Sequence, residues 1–158
     1  MSIQLRILQL EDLESLLEFE QKKGKEIFLD EMEQIFAQWN SKARKESLEY
    51  YLPLGWSFVA IDTELDLSQK NGSIVGYFLG QALLFIDGQT QSLWIEHLQY
   101  SSLQARDELC ELAYKLGREK HLQKVYFPQG VALNSSVQIF KPEVWNPQIL
   151  AVKTTKVN

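Results

Sequence analysis

The fold is decided by residues 92–127, which read SLWIEHLQYSSLQARDELCELAYKLGREKHLQKVYF. The first nine residues are rich in the apolar and aromatic side chains typical of a strand. Ser101 and Gln104 have capping-box spacing, which predicts the start of a helix that ends near His121. A short strand over Lys124–Phe127 follows it. A strand, a helix and a strand in this order predict a right-handed parallel crossover.

Two further strands precede this unit. Trp56–Ile61 is aromatic and β-branched, and Ile74–Ile86 is a long apolar stretch. Asn71-Gly72 and Asp87-Gly88 are turn signals, so the middle strands are predicted to be antiparallel hairpin neighbours.

The N-terminal third predicts one strand and two helices. Ile3, Leu5 and Ile7 alternate with polar residues, as in a half-buried strand. A helix then opens at Glu11 and Asp12 and stops at Gly24.

A second helix is predicted over about Leu29–Asn40, with Phe28, Phe36 and Trp39 in the core. Residues 41–51 either extend it or form another helix. A weak helix and a final strand over Ile149–Thr154 end the chain. The whole order predicts a single α/β (α+β) domain over residues 1–158, with a mixed, mostly antiparallel sheet and helices on both faces.

Composition and charge narrow the function. The 158 residues are 45% hydrophobic and carry a net charge of −5, and their basic residues are scattered, which predicts solvated helix faces rather than a nucleic-acid site. These basic residues fall in three groups: Lys22, Lys23 and Lys25; Lys42, Arg44 and Lys45; Arg118 and Lys120. The sequence has neither a signal peptide nor an apolar run of roughly 18 residues, which predicts a cytoplasmic protein without a membrane span.

The single cysteine and the two histidines predict no metal site. Cys110 falls beside an apolar helix face and is expected to be a small core residue, without a disulfide. His97 is expected to be a partly buried structural histidine, facing the opposite side of its strand from Glu96.

Four stretches follow one another along the chain: IQLRILQLEDLESLLEFEQ, GSIVGYFLGQALLF, LWIEHLQY and ELCELAYKLGREKHLQKVYF. Their order and spacing resemble the GNAT superfamily of acyl-CoA-dependent N-acyltransferases. In that family the first stretch is similar to the first strand and helix, the second to the third strand, the third to the fourth strand, and the last to the third helix and fifth strand. The resemblance covers nearly the whole chain and implies acetyl-CoA or another acyl-CoA, a small-molecule or protein amine as acceptor, and a homodimer as an oligomeric option.

The resemblance also implies where acyl-CoA lies. Main-chain groups around Leu98, Gln99 and Tyr100 would hold the pantetheine, and the helix start at Ser101 and Ser102, with Arg106, would face the pyrophosphate. The family's loop there carries glycines, but this chain has none between Gly88 and Gly117. Positive φ angles are costly without glycine, so the usual phosphate cradle is absent from the sequence.

The resemblance implies a general base at Glu96, on the same strand face as Trp94 and Leu98. An ordinary sheet-face carboxylate is the other interpretation. Asn134 matches the asparagine that opens the family's fourth helix. Phe140 stands about where many members carry a tyrosine acid, and phenylalanine has no proton to give.

Tyr50, Tyr51 and Trp56 lie where such folds often shape the acceptor pocket, although an aromatic cluster before a strand is also ordinary packing. Two hypotheses follow: a GNAT-like N-acetyltransferase for an amine, or a catalytically inactive binding or regulatory domain on the same scaffold. The absent glycines and Phe140 favour the second, whereas Glu96 and Asn134 favour the first.

Overall fold

One sheet organises the part of the chain that the computed structural model describes, which is residues 1–64, 73–128, 130, 135–145 and 149–155. Its strands are β1 (Ile3–Ile7), β2 (Phe58–Asp62), β3 (Ser73–Leu84), β4 (Gln91–Tyr100) and β5 (Lys124–Tyr126). They lie in the order β1-β2-β3-β4-β5, and every neighbouring pair is antiparallel except β4 and β5, which are parallel. This confirms the predicted mixed, mostly antiparallel sheet.

Helices cover both faces of this sheet, as predicted. They are α1 (Leu13–Ile27), α2 (Glu31–Trp39), α3 (Lys45–Tyr51), α4 (Leu103–Glu119) and α5 (Ser135–Gln138). Helices α1 and α3 bury Leu16 and Leu48 against Tyr77 and Leu79 of β3. Helices α4 and α5 form the opposite layer. We call the two sides the α1–α3 face and the α4 face.

The α4 face is an apolar core. Leu109, Cys110 and Ala113 of α4 are fully buried against Leu93 and Ile95 of β4. The burial of Cys110 confirms its predicted role as a small core residue.

Two predicted helix boundaries were wrong by a few residues. Helix α1 continues past Gly24 to Ile27, because an ordinary helical φ is available there and nothing crowds the site. Helix α4 is capped by Ser102 rather than Ser101, since the Oγ of Ser102 accepts from the amide of Ala105 at 3.1 Å. Ser101 instead donates its amide to the carbonyl of Val75.

The predictions for α2 and for the C-terminus were also wrong. Phe36 and Trp39 are 51% and 65% exposed, because α2 packs mainly on the end of α1 and does not reach the sheet. Phe28 is half-buried. Residues 149–155 form no strand and pair with none of the described strands. Among the described residues, every helix is too short or too polar to cross a membrane.

Candidate functional site

A β-bulge in β4 positions the predicted base. The β3–β4 register pairs Leu79 with His97 and then Gly80 with Ile95, so Glu96 is an extra residue without a partner on β3. Strict alternation had predicted Glu96 and Leu98 on one face and His97 on the other. That prediction was wrong, because the bulge lets Glu96 and His97 both contact residues of the α1–α3 face, while Leu98 packs in the α4 core.

The Glu96 carboxylate is held by an indole and lies near a lysine. Nε1 of Trp94 donates to Oε2 of Glu96 at 2.7 Å, and Nζ of Lys42 lies 3.9 Å from Oε1. The side chain of Glu96 remains 29% exposed. A carboxylate with one oriented oxygen and partial exposure is available to a ligand.

Tyr51 lies close enough to Glu96 for the charge of this carboxylate to affect its pKa. Burial, the charge of Glu96 and the neighbouring Tyr50 raise the pKa of Tyr51 to about 12. The rings of Tyr50 and Tyr51 meet edge to face at 5.0 Å, and Gln81 hydrogen-bonds to both hydroxyls. The structure therefore brings these two predicted pocket residues together, whereas Trp56 packs with the core of the α4 face.

Strands β4 and β5 separate just before Glu96. They pair only from Ser92 with Lys124 to Trp94 with Tyr126. Beyond that point β4 pairs only with β3, as far as Tyr100. The opposite edge of residues 95–100 therefore has no described strand partner. Leu98, Gln99 and Tyr100 all lie on this edge, and their predicted contact with a pantetheine stays a prediction.

The start of α4 lies at the end of the same edge. Its first amides, at Leu103 and Gln104, have no acceptor within the described part of the chain. Arg106, however, is buried and turned onto its neighbour, with Nε and Nη2 donating to Oδ1 of Asp107 at 2.9 and 2.8 Å. These hydrogen bonds raise the pKa of the Arg106 guanidinium above its usual value.

These features fit acyl-CoA unevenly. The open β4 edge offers backbone groups to the amides of a pantetheine arm. The α4 start offers two amides to a phosphate, but its one nearby guanidinium is paired with Asp107 and it has no glycine. The residues present therefore fit the pantetheine better than the pyrophosphate.

An aromatic cluster that the sequence did not reveal closes the end of the β4–β5 pair. The ring of Trp145 lies 5.4 Å from Trp94 and 5.1 Å from Tyr126. The Tyr126 hydroxyl and the Trp145 indole N–H are buried and have no hydrogen-bond partner among the described residues. Buried polar groups usually have a hydrogen-bond partner, so both atoms are candidates for a contact that the described residues do not supply. Trp145 follows Pro142 in an irregular segment, where no periodicity could have indicated its position.

The remaining predicted residues are placed as follows. Phe140 stacks on Tyr114 at 3.9 Å and belongs to the α4 face. Asn134 lies outside the described residues. His97 is partly buried and bonded to Glu20 of α1 at 2.9 Å, as expected of a structural histidine. Tyr77 donates to the same carboxylate, and burial followed by the charge of Glu20 raises the pKa of Tyr77 well above its usual value.

A cleft of about 530 Å³ opens beside this group. Its walls come from the C-terminal half of α1, from α2, from residues 41–45, and from His97 and Gln99 of β4. Lys42 lines the cleft and also approaches Glu96. Tyr50, Tyr51 and Trp56 do not line it, so their role in an acceptor pocket stays a prediction.

Three solved structures that share this fold are acetyltransferases. The chain superposes on a Drosophila melanogaster polyamine N-acetyltransferase with a TM-score of 0.61 and 16% identity, covering 92% of this chain and 85% of that one. The PaiA N-acetyltransferase of Thermoplasma acidophilum, solved with coenzyme A, gives a TM-score of 0.59 and 17% identity, with 89% of each chain covered. An aminoglycoside acetyltransferase from an uncultured soil metagenomic sample gives 0.56 and 17%, covering 99% of this chain and 100% of that one.

At these identities the likeness shows the fold, and it confirms the fold that the GNAT resemblance predicted. No protein-family model matches the sequence, and a search of the curated proteins found no match.

Proposed function

We propose that this chain is an N-acyltransferase that moves the acyl group of acetyl-CoA, or of another acyl-CoA, to a small amine. The observation that carries this proposal is the bulge in β4. It turns the carboxylate of Glu96 toward the α1–α3 face at the point where β4 leaves β5. An acyl donor bound along the open β4 edge and an amine in the cleft would then meet near one carboxylate.

Glu96 is proposed to act as the general base. Trp94 holds Oε2, which leaves Oε1 to take a proton from the substrate ammonium. The amine nitrogen then forms the new amide bond as the carbon–sulfur bond of the thioester breaks, and the second proton that nitrogen loses passes to solvent water. The acyl-CoA supplies the acyl group and the thiolate leaving group.

Tyr126 is proposed to return a proton to that thiolate. Phe140 has no acidic proton, whereas Tyr126 belongs to the last residue pair before β4 and β5 separate, and its hydroxyl is buried without a described partner. A donor in that position would stabilise the charge that develops on sulfur. Tyr126→Phe should therefore lower kcat about tenfold or more and leave acyl-CoA affinity unchanged.

The first test is calorimetric titration of the full chain with acetyl-CoA, followed by Glu96→Gln in a transfer assay. We expect saturable binding and a loss of roughly two to four orders of magnitude in kcat for Glu96→Gln, with acetyl-CoA binding preserved. Glu111→Gln removes the same charge from an exposed site on α4, outside the cleft, and should be neutral. Equal turnover in the wild type and Glu96→Gln would remove Glu96 from the mechanism.

The second candidate function is a non-catalytic binding domain on this scaffold. The specific observation in its favour is the Arg106–Asp107 ion pair, because it occupies the one guanidinium near the α4 start. No heat with acetyl-CoA at millimolar concentration would support this function and exclude the transferase.

A further inference from the structure

The cleft beside β4 is strongly cationic, although the chain as a whole carries a net charge of −5. Five cationic side chains line it: Lys23, Lys25, Lys42, Arg44 and Lys45. Among the described residues that line it, Glu20 is the one carboxylate, and Tyr77 and His97 already bond to that group. Members of two of the three basic groups, those around residues 22–25 and 42–45, therefore converge on one cleft although they are separate in the sequence.

These cations are available to a ligand. Lys23, Arg44 and Lys45 each have a carboxylate only at 3.6–4.0 Å, and the Arg44 and Lys45 pairs are largely exposed to solvent, whereas the side chain of Lys23 is 20% exposed. Such pairs contribute little and exchange readily for a better partner. Lys25 has no carboxylate within 4.0 Å in the described part of the chain.

The cleft lies beside the proposed base, although Glu96 is not itself one of its lining residues. Lys42 lines the cleft and places its Nζ 3.9 Å from Oε1 of Glu96. A ligand that places its anionic group against the lysines would therefore bring its own ammonium group close to the Glu96 carboxylate. A volume of about 530 Å³ lies in the range of small-molecule sites.

From this geometry we infer that the cleft binds the acyl acceptor, and that the acceptor is a small amine which also carries a carboxylate or a phosphate. This inference rests on the proposed function, because the amine end is assigned by the position of Glu96. The ligand's anionic group contacts the lysines at the mouth, and its ammonium points toward Glu96.

This acceptor differs in charge from those named for two structural neighbours. Polyamines and aminoglycosides carry several positive charges, and five cationic side chains would repel them. The fold is shared, but the acceptor cleft of this chain favours ligands with an anionic group over polycations.

The test is titration calorimetry of the full chain, with and without saturating CoA, against four probes: O-phospho-L-serine, L-glutamate, spermidine and inorganic phosphate. We expect at least one of the two anionic amines to bind saturably, and the stronger of them identifies the anionic group as phosphate or carboxylate. Binding should weaken as salt is raised, because the contacts are exposed charges. Spermidine should not bind in the same range, and inorganic phosphate should bind at least about tenfold more weakly than the preferred amine.

A charge-matched pair of variants tests the location. Lys25→Gln with Lys45→Gln removes two cations from the cleft and should weaken the preferred anionic amine by about tenfold. Lys22→Gln with Lys120→Gln makes the same change in net charge outside the cleft and should have little effect. Equal weakening in both variants would show a general charge effect and overturn the assignment.

Three other results would overturn the inference: preferential binding of spermidine, no binding of either anionic amine, or inorganic phosphate binding as tightly as the preferred amine. The parallel acetyl-CoA titration separates this failure from failure of the proposed function. Acetyl-CoA binding together with a preference for spermidine would refute only the acceptor class. Binding of an anionic amine without acetyl-CoA binding would refute the transferase.

Discussion

The two faces of the sheet are built from different chemistry. On the α4 face, aliphatic and small residues pack closely, and an added Cβ at Gly76 would meet Leu109 and the carbonyl of Gln99 at 3.1 Å. On the α1–α3 face, buried or half-buried polar groups hold one another, as Glu20 does with Tyr77 and His97. A polar group costs free energy to bury unless it is satisfied, so the second face retains polar groups only where partners exist. Both faces therefore have an apolar core, and the α1–α3 face adds the polar groups that adjoin the candidate base.

Gly80→Ala should break the packing of the α4 face and gives the largest expected effect on stability. The added Cβ would lie 2.5 Å from the carbonyl oxygen of Trp56, which is backbone and cannot rotate away. We expect the free energy of unfolding to fall by about 2 kcal/mol, measured by urea denaturation.

Gly24→Ala is the matched control on the other face. Nothing lies within 4 Å of the new Cβ, and the position is inside α1, so the free energy of unfolding should rise by about 0.5–1 kcal/mol. Similar effects of the two substitutions would contradict the difference in packing between the faces.

Tyr77→Phe tests the polar network of the α1–α3 face. Removing the hydroxyl takes one donor from Glu20, which keeps His97, so we expect a loss of about 1 kcal/mol at neutral pH. Tyr50→Phe removes an exposed hydroxyl bonded to Gln81 and should cost less.

Tyr77→Phe should also change how the free energy of unfolding depends on pH. Because the pKa of Tyr77 is raised in the folded protein, its contribution is fully present below the ordinary tyrosine pKa of about 10. Above that pH the unfolded chain ionises while the folded chain does not, so wild-type stability falls as pH rises. Urea midpoints from pH 8 to 11 should fall less steeply in Tyr77→Phe. An unchanged slope would show that Tyr77 is not the group responsible.

The strands were predictable because their signals are local. Ile3–Ile7 matches β1 residue for residue, and the strand–helix–strand pattern of residues 92–127 produced the observed parallel pair. Helix α2 shows the limit of such signals. Its stripe of Met32, Phe36 and Trp39 has the period of a core helix, but burial depends on whether a second layer lies opposite, and none of the described residues forms one.

The site was less predictable, because two of its features are not periodic. The bulge at Glu96 is one extra residue in a long strand, and it changes the face of His97 relative to Glu96. The one sequence signal is Gly80 inside the partner strand, which is where the register shifts, and a glycine there is equally compatible with a bend or a close approach. The convergence of Lys25 with Lys45 depends on how α1 and residues 41–45 meet in space, so a count of charges along the chain reads them as scattered.

Asp107→Ala gives the smallest expected effect and sharpens the contrast between the closed α4 start and the open cleft. Removing Asp107 takes away the acceptor of Arg106 and one negative charge beside the two exposed amides of the helix start. We expect acetyl-CoA to bind about threefold more tightly by calorimetry, as a freed guanidinium can reach a phosphate. Glu108→Ala is the control, because it removes the same charge but a side chain bonded only to Gln104 among the described residues. If the affinity for acetyl-CoA rises equally in both variants, net charge alone explains the effect and the Arg106–Asp107 pair does not limit binding. A rise confined to Asp107→Ala means that this ion pair, rather than the missing glycines, weakens the phosphate contact.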